Sequence, residues 1–539
     1  MPISVGDVTV FELLIRQQEY NNMNGAESLV RTMAASGINV CFANPGTSEM
    51  HFVAALDRLD LIRCVLALQE NVATGAADAY ARMTGEPAAT LLHLGPGFGN
   101  GLANVHNAKK ARAPMVNVVG EHATYHIEYD APLTSDIQGI VGPVSDFVVT
   151  TNTSDEVGND TAATVAAAKS WPGKIATLIL PANSAWDTTE EVGKPQKPAG
   201  PDPVKAEDVA AVAEALKSGK KSVMFVSGAI LEEPALTNLG KVKAATGVDL
   251  LAQTSNRRID RGAGRVAVNK LPYPVEHALE TLKDYEYVIL LGTREPVSFF
   301  AYPNKPSRLS PEGSEILNLA GPQQDTIKAL DMLIDLLGAG NAAPELVEAE
   351  PAPDVSGLSG KITPEIISQA FRAHMPENCI IVDESITTGR AFFPDSKAAP
   401  PHTWLQNTGG AIGVGLPYGV GAAIACPDRP VMVLQSDGSG MYCNQALWTM
   451  ARENLNVTVL IFSNRAYRIL EGEMKGVGVE KMGHVAENLF GLNKPDIDWV
   501  GLAKSMGVDA ERVDDASGLS PAIQKGVALK GPYLIEIVF

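Results

Sequence analysis

The chain has 539 residues, 45% of them hydrophobic and 19% charged, which is enough for about three domains of ordinary size around ample cores. Its formal net charge of −19 argues against a nucleic-acid partner and against an anionic membrane surface. The five cysteines (Cys41, Cys64, Cys379, Cys426 and Cys443) are scattered and form no CxxC pair, which excludes a disulfide framework or a structural zinc cage and suits a reducing cytoplasm. The opening MPISVGDVTVFELLIRQQEY has no basic start followed by an apolar run, so no signal peptide is expected. No stretch reaches the roughly eighteen apolar residues of a membrane span, and a soluble cytoplasmic protein is expected.

Along the chain, short apolar runs alternate with helical patterns. Between residues 22 and 193, INVCFA, CVLAL, AATLLHL and MVNVVG are predicted strands, and ENVATGAADAYARMTG is a predicted helix. The proline-rich KPQKPAGPDP at 194–203 resists both helix and central strand and is predicted to be a linker. Residues 204–342 carry SVMFVSG and YVILLGT, and a second linker, APELVEAEPAPDVSGLSG, fills 343–360. Residues 361–539 carry CIIVDES, PVMVLQS, VTVLIFSN and YLIEIVF, with the helical NQALWTMARENLN between the second and third. Apolar runs without alternation suit parallel strands covered on both faces. The expectation is an α/β protein of three domains, 22–193, 204–342 and 361–539, each built on a parallel sheet. Ligands in such folds sit at the carboxyl ends of strands.

Several segments place reactive groups at such ends. ANPGTSEM (43–50) turns on Pro45 and Gly46, and Glu70 stands where CVLALQ meets the predicted helix. LLHLGPGFGNG (91–101) follows a strand and carries His93. Its glycines, with Glu121 about twenty residues on, are similar to a dinucleotide loop, but the spacing is not G-x-G-x-x-G and Pro96 sits inside the turn. IVDESITTGR (381–390) ends a strand near Thr387 and Thr388, and NTGGAIGVGLPYGVGAA (407–423) is glycine-rich. VMVLQSDGSGMYCN (431–444) drives a buried strand into Asp437, and 27 positions later the strand VTVLIFSN ends at Asn464. Taken singly, each has a plain structural reading. Asp437 would be a turn or cap residue, Glu70 an acid stabilised by the helix dipole, and His93 a satisfied core histidine.

The pairing of Asp437 with Asn464 narrows the choice. One loop, one helix and one further strand return the chain to the same sheet edge, where both side-chain oxygens can meet. A carboxylate and an amide oxygen are hard ligands for Mg²⁺ or Ca²⁺, and Mg²⁺ completes its shell with water and ligand phosphates. Gly438 and Ser439 free backbone N–H groups at a helix start, which favours an anion. The loop is therefore read as holding a metal that holds a diphosphate. This pattern resembles the metal-and-diphosphate signature of thiamine diphosphate (ThDP) enzymes, in the group of the acetolactate synthase large subunit and benzoylformate decarboxylase. Ser436 stands where the first glycine of that signature is usual, and Ser463 where its first asparagine is usual.

The resemblance covers nearly the whole chain from about residue 22 and implies pyrimidine-binding, middle and diphosphate-binding domains, in that order. It implies Asp437, Asn464 and the carbonyl of Ala466 as Mg²⁺ ligands. It implies Glu70 as the carboxylate that bonds the aminopyrimidine ring and promotes its imino tautomer. Pro45 and Gly46 would lie near that ring, with Thr47 and Glu49 close by, and Asn100 would be a further cofactor contact. His93 falls where benzoylformate decarboxylase and its relatives carry an active-site histidine. Ile412 would be the aliphatic wedge between the cofactor rings, Gly410 would offer its carbonyl to the pyrimidine amine, and Thr387 and Thr388 would touch the diphosphate. Tyr467 would adjoin the cofactor. Thr47, His122, Phe299, Phe300 and Leu470 would line the substrate pocket. Phe299 and Phe300 replace a second histidine of benzoylformate decarboxylase, and Leu470 replaces a glutamate of pyruvate decarboxylases.

The resulting reading is a ThDP- and Mg²⁺-dependent enzyme that decarboxylates a 2-oxo acid or joins the product to a second carbonyl. Because such enzymes join the glutamate of one subunit to the metal domain of another, a homodimer or homotetramer is implied, with neither nucleic acid nor membrane as partner. Three rivals stay open: a 2-hydroxyacyl-CoA lyase that does not decarboxylate, a dehydrogenase using the tract at 95–101, and a non-catalytic regulatory homologue.

Overall fold

The apolar runs become strands, and almost all of them pair in parallel. The structure, a computed structural model, describes residues 23–539 and divides them into two compact units. The first comprises the described residues up to Ala77 with Gly85–Val105 and Ala113–Ala199; the second comprises Asp78–Thr84, His106–Arg112 and Gly200–Phe539.

The sheet of the first unit contains β1 (Val40–Asn44), β2 (Arg63–Leu66), β3 (Ala88–Leu92), β4 (Met115–Glu121), β5 (Phe147–Thr150) and β6 (Ile175–Pro181), in the order β2-β1-β3-β4-β6-β5. Every residue of β3, β4 and β6 is buried, which is why they read as mainly apolar segments without alternation. The chain steps outward from β1 to β2 and then crosses to β3 on the other side. The order therefore reverses between β1 and β3, the place where an open α/β sheet forms its crevice. Helix α1 (Glu70–Thr84) follows β2, and α2 (Leu94–Ala111) follows β3.

The second unit contains two sheets. One has β7 (Ser222–Val226), β8 (Asp249–Ala252), β10 (Asn269–Lys270), β11 (Tyr287–Leu291) and β12 (Glu315–Ala320) in the order β10-β8-β7-β11-β12. The other has β13 (Ile380–Glu384), β14 (His402–Gln406), β15 (Val431–Ser436), β16 (Val457–Ser463), β17 (Asp509–Val513) and β18 (Tyr533–Val538), with β9 (Ile259–Arg261) added at its edge. Its order is β17-β18-β16-β15-β13-β14-β9, and β9 alone runs antiparallel to its neighbour. So the 204–342 block lends a strand to the sheet of the 361–539 block and covers its otherwise open β14 edge. The apolar residues of the two sheets also merge: Val226 and Leu291 belong to the same buried cluster as Ile381 and Leu434. Neither predicted linker contains a helix or a named strand.

Two buried polar features tie down this unit. Arg82, at the end of α1, donates to both oxygens of Asp78 at 2.7 and 2.8 Å and to the Tyr418 hydroxyl at 2.6 Å, while that hydroxyl donates to Asp78. The three side chains satisfy one another, so their burial leaves no charge uncompensated. His402 on β14 is buried, and its Nδ1–H donates to the Pro400 carbonyl at 2.7 Å. Burial, assisted by Arg261, lowers its pKa from 6.5 to about 3. The unfolded chain therefore takes up a proton near pH 6.5 that the folded chain refuses. This contribution to stability is complete above that pH and is lost as pH falls toward 3, with a slope of up to about 1.4 kcal/mol per pH unit. Urea unfolding of wild type between roughly pH 4 and 7 is expected to show the slope, and His402→Gln to flatten it.

Among the described residues, no helix is long and apolar enough to cross a membrane.

Candidate active site

In the first unit, three candidate segments leave the ends of β1, β2 and β3. Gln69 caps α1, its Oε1 accepting from the N–H groups of Asn71 at 2.6 Å and Val72 at 3.2 Å. Glu70 follows, 8% exposed, and its Oε2 accepts from Asn100 Nδ2 at 3.1 Å. Asn104 binds the same helix start, donating from N to Asn71 Oδ1 at 2.9 Å and from Nδ2 to Asn71 O at 2.8 Å. The second oxygen of Glu70 faces Gly97. A Cβ at Gly97 would stand 3.3 Å from Glu70 Oε1 and 3.2 Å from the Cβ of His93, so only a glycine separates these two side chains.

His93 sits on a strained turn. The fully buried Leu94 beside it has φ of +50°, a conformation that opposes a branched side chain and recurs where function over-determines the backbone. His93 Nδ1 lies 2.8 Å from Glu49 Oε2 and 3.3 Å from Ser48 Oγ. Gly46 lies under the ring, since a Cβ there would be 2.1 Å from Nδ1. The tract at 95–101 is helical from Leu94, with Pro96 in the first turn, where a missing N–H leaves no bond unmade. It is not the open glycine loop a dinucleotide needs. Pro45 and Thr47 are exposed on the first turn. His122 stacks on His126 with ring centres 5.5 Å apart, and its Nε2 is buried with no partner.

In the second unit, β15 and β16 are parallel neighbours, so the loops that follow them emerge side by side. Asp437 is 2% exposed, and its Oδ1 accepts from Gly438 N at 2.8 Å. Its Oδ2 accepts from Arg465 N at 2.7 Å, directly beyond Asn464. Asn464 Oδ1 in turn accepts from Ala466 N at 3.1 Å. Arg465 adopts φ of +59°. The turn is pinned from outside by Tyr467 N donating to Phe490 O at 2.8 Å and Leu492 N donating to Arg465 O at 2.7 Å. The Tyr467 ring packs on Gly438, where a Cβ would meet Cε1 at 2.4 Å. Burial raises the Asp437 carboxyl to about 6, against the pull of the Arg465 and Gly438 N–H groups. A cation beside it would reverse that shift.

Thr387 and Thr388 follow β13 beyond Ile386, another strained residue with φ of +52°. Both line a cavity of about 390 Å³ together with Asn464 and Arg468. Among the described residues, no group of three or more His, Cys, Asp or Glu could hold a metal. The Asp437 carboxylate and the Asn464 amide oxygen are hard donors, too few for a closed cage. That suits Mg²⁺, which draws its remaining ligands from water and phosphate.

The sequence reading passed over Glu384. This carboxylate, 1% exposed at the end of β13, accepts from the N–H groups of Gly413, Val414 and Gly415 at 2.8, 3.2 and 2.9 Å. It also accepts from Gln435 Nε2 at 2.9 Å, and that amide donates to Ser439 Oγ at 2.7 Å. Burial raises the Glu384 carboxyl, and the side-chain and backbone donors pull it back. One acid thus ties the loop of Gly410 and Ile412 to the loop of Asp437. Gly410, at φ of +83°, leaves room for Phe299, whose Cζ would stand 2.7 Å from a Cβ there. Phe299 meets Phe300 edge-on with ring centres 4.8 Å apart and lies tilted against Tyr273 at 5.5 Å. Tyr273 and Tyr302 both donate to Glu473, which lies on the helix Arg468–Gly476 with the exposed Leu470.

This architecture, with a carboxylate at a helix start in one sheet and an Asp–Asn turn at neighbouring strand ends of another, has its counterpart among known proteins. Residues 23–142 match the N-terminal TPP binding domain of thiamine pyrophosphate enzymes, and residues 390–537 match their C-terminal TPP binding domain. The chain belongs to the thiamine pyrophosphate enzyme family. It is 46% identical over 519 residues to IlvX of Mycobacterium tuberculosis, whose name gives it provisionally as an acetolactate synthase large subunit; the match covers 96% of this chain and 99% of the relative. It is 26% identical to benzoylformate decarboxylase of Pseudomonas aeruginosa, across 93% of this chain and 96% of that one. Its fold is similar to that of the ThDP-dependent 4-hydroxybenzoylformate decarboxylase of Rhodococcus jostii RHA1, with a TM-score of 0.81 at 22% identity, covering 95% and 98% of the two chains.

Proposed function

We propose that the chain is a ThDP- and Mg²⁺-dependent enzyme that releases CO₂ from a 2-oxo acid and either protonates the remaining acyl group or transfers it to a second carbonyl. The observation that carries this reading is the Asp437 carboxylate bonded to the turn after Asn464, beside the cavity of Thr387 and Thr388. Asp437, Asn464 and the Ala466 carbonyl would hold Mg²⁺. Thr387, Thr388 and the N–H groups of Gly438 and Ser439 would receive the diphosphate. Bound ThDP would supply a carbon nucleophile and an electron sink for the bond to CO₂. Glu70, steadied by Asn100, holds a proton at the pyrimidine nitrogen. Pro45 and Gly46 of the first unit and Gly410, Ile412 and Tyr467 of the second would each face the cofactor rings, the two sets coming from different subunits. His93 moves a proton to or from the reacting substrate. In the second unit, Phe299, Phe300 and Leu470 would offer the substrate an apolar surface; in the first unit, Thr47 and His122 would offer polar groups. In this reading the modules are 22–193, 204–342 and 361–539, and the working form is a cytoplasmic homodimer or homotetramer.

The reading is supported by relatives named as acetolactate synthases and benzoylformate decarboxylase. The test is CO₂ release from a panel of aliphatic and aromatic 2-oxo acids. Release is expected from at least one, lost on chelation with EDTA, and restored only when ThDP and Mg²⁺ are both returned. Full activity after exhaustive chelation would remove Mg²⁺ from the reading, and inertness of the reconstituted protein toward every acid would favour a regulatory role.

A further inference from the structure

We propose that Glu49 is a positioning residue whose buried carboxylate fixes His93 as its Nδ1–H tautomer and leaves Nε2 as the nitrogen that exchanges protons. The functional consequence rests on the reading of these strand ends as a ThDP site; the tautomer does not.

The Glu49 side chain is 2% exposed, and donors surround it. Its Oε2 accepts from Gly46 N at 2.9 Å and lies 2.8 Å from His93 Nδ1, and its Oε1 accepts from Ser48 Oγ at 2.5 Å. An ionised carboxylate only accepts hydrogen bonds, so a ring nitrogen at 2.8 Å must carry the proton. With the proton on Nε2 instead, a lone pair would face a buried carboxylate, an arrangement that costs free energy with nothing to offset it. The space for this pair is hollowed out by two glycines on separate segments. A Cβ at Gly120 would stand 1.8 Å from Glu49 Oε1, and a Cβ at Gly46 would stand 2.1 Å from His93 Nδ1. Neither glycine has a positive φ, so close approach rather than backbone conformation calls for each.

The other nitrogen is the open one. The His93 side chain is 21% exposed, and among the described residues no group is hydrogen-bonded to Nε2. Leu94, the next residue, adopts φ of +50°, and the His93 ring lies over Gly46. In this arrangement Nε2 presents a lone pair that can take a proton, and Glu49 stabilises the imidazolium that results. Returning the proton restores the same tautomer without rotating the ring. A base oriented by a carboxylate on its far nitrogen is a recurring catalytic device because the wrong tautomer is silent.

The test is ¹⁵N-histidine NMR of the holoenzyme. The chain has nine histidines, so the His93 signals can be assigned by their absence in His93→Asn. Wild type is expected to show a protonated Nδ1 and an unprotonated Nε2. Glu49→Ala is expected to shift His93 toward the Nε2–H tautomer that a free histidine side chain favours. In Glu49→Gln one amide oxygen must serve three donors, so the Nδ1–H share is expected to fall less; this variant decides the matter if the alanine form does not fold. On the 2-oxo acid that wild type decarboxylates, kcat is expected to fall about tenfold or more in Glu49→Ala with KM within about twofold, and to recover in part in Glu49→Gln. An Nε2–H tautomer in wild type overturns the proposal, as do unchanged His93 signals in both variants. C2-proton exchange of ThDP bound to wild type, measured on the same samples, reports separately on the cofactor reading.

Discussion

Glu70→Gln is expected to slow the C2-proton exchange of bound ThDP by about 100-fold or more while ThDP affinity stays within a few-fold. The substitution is nearly isosteric, and the amide oxygen can still accept the bond from Asn100 Nδ2 that the carboxylate accepts at 3.1 Å. The cap of Gln69 on α1 and the Asn71–Asn104 contacts are untouched, so the local fold is expected to persist. What glutamine cannot do is ionise and hold a proton at the pyrimidine ring. General acid–base groups contribute about 10²–10⁴-fold, which sets the size of the effect. NMR exchange measured beside a ThDP titration separates chemistry from binding. Exchange as fast as wild type in the variant would remove Glu70 from the chemistry, and loss of affinity equal to the loss of exchange would make it a binding residue only.

Much of the architecture is legible in the sequence because parallel strands buried on both faces are written as unbroken apolar runs. AATLLHL, PVMVLQS and VTVLIFSN each contain a strand of the structure, and INVCFA contains all but the last residue of β1. Segments that escape this reading do so for physical reasons. DAERV (β17) is an edge strand with three charged residues among its five. HTWLQ (β14) buries His402 and Thr403 in place of aliphatics. Ile259–Arg261 is too short to show a period and belongs to a sheet whose other strands begin more than a hundred residues later. Proline-rich stretches mark where the chain loses regular structure, but the packing across the stretch at 343–360 merges two sheets into one core.

The candidate residues divide in the same way. Asp437, Asn464 and Glu70 are legible as strand-end residues because each follows an apolar run, and the structure places them just beyond β15, β16 and β2. Glu49 and Glu384 gain their significance from partners far along the chain, 44 residues away for His93 and 31 for Gly415. No local pattern announces either partnership. The glycines that accommodate them were visible, but nothing in the sequence says which atoms they make room for.

Asp437→Ala is expected to have the largest effect on cofactor retention, weakening ThDP binding at fixed Mg²⁺ by about 100-fold or more. Two losses compound. The carboxylate is the one charged group in the proposed donor set beside Asn464 and a carbonyl, so without it the protein would offer a cation neutral oxygens alone. It also accepts from Gly438 N and Arg465 N, and Arg465 N would then be left without its acceptor at a residue already strained at φ of +59°. Asp437→Asn separates these contributions. The amide oxygen can retain one of the two backbone bonds while the charge is gone, so a loss close to that of the alanine variant would assign the effect to the cation. Titrations of ThDP at several Mg²⁺ concentrations make the distinction sharper. If charge is what matters, saturating Mg²⁺ is expected to recover part of the affinity in Asp437→Asn and little in Asp437→Ala, where the turn itself has loosened. Equal affinity in wild type and both variants, at every Mg²⁺ concentration, would show that the diphosphate is held elsewhere on the chain.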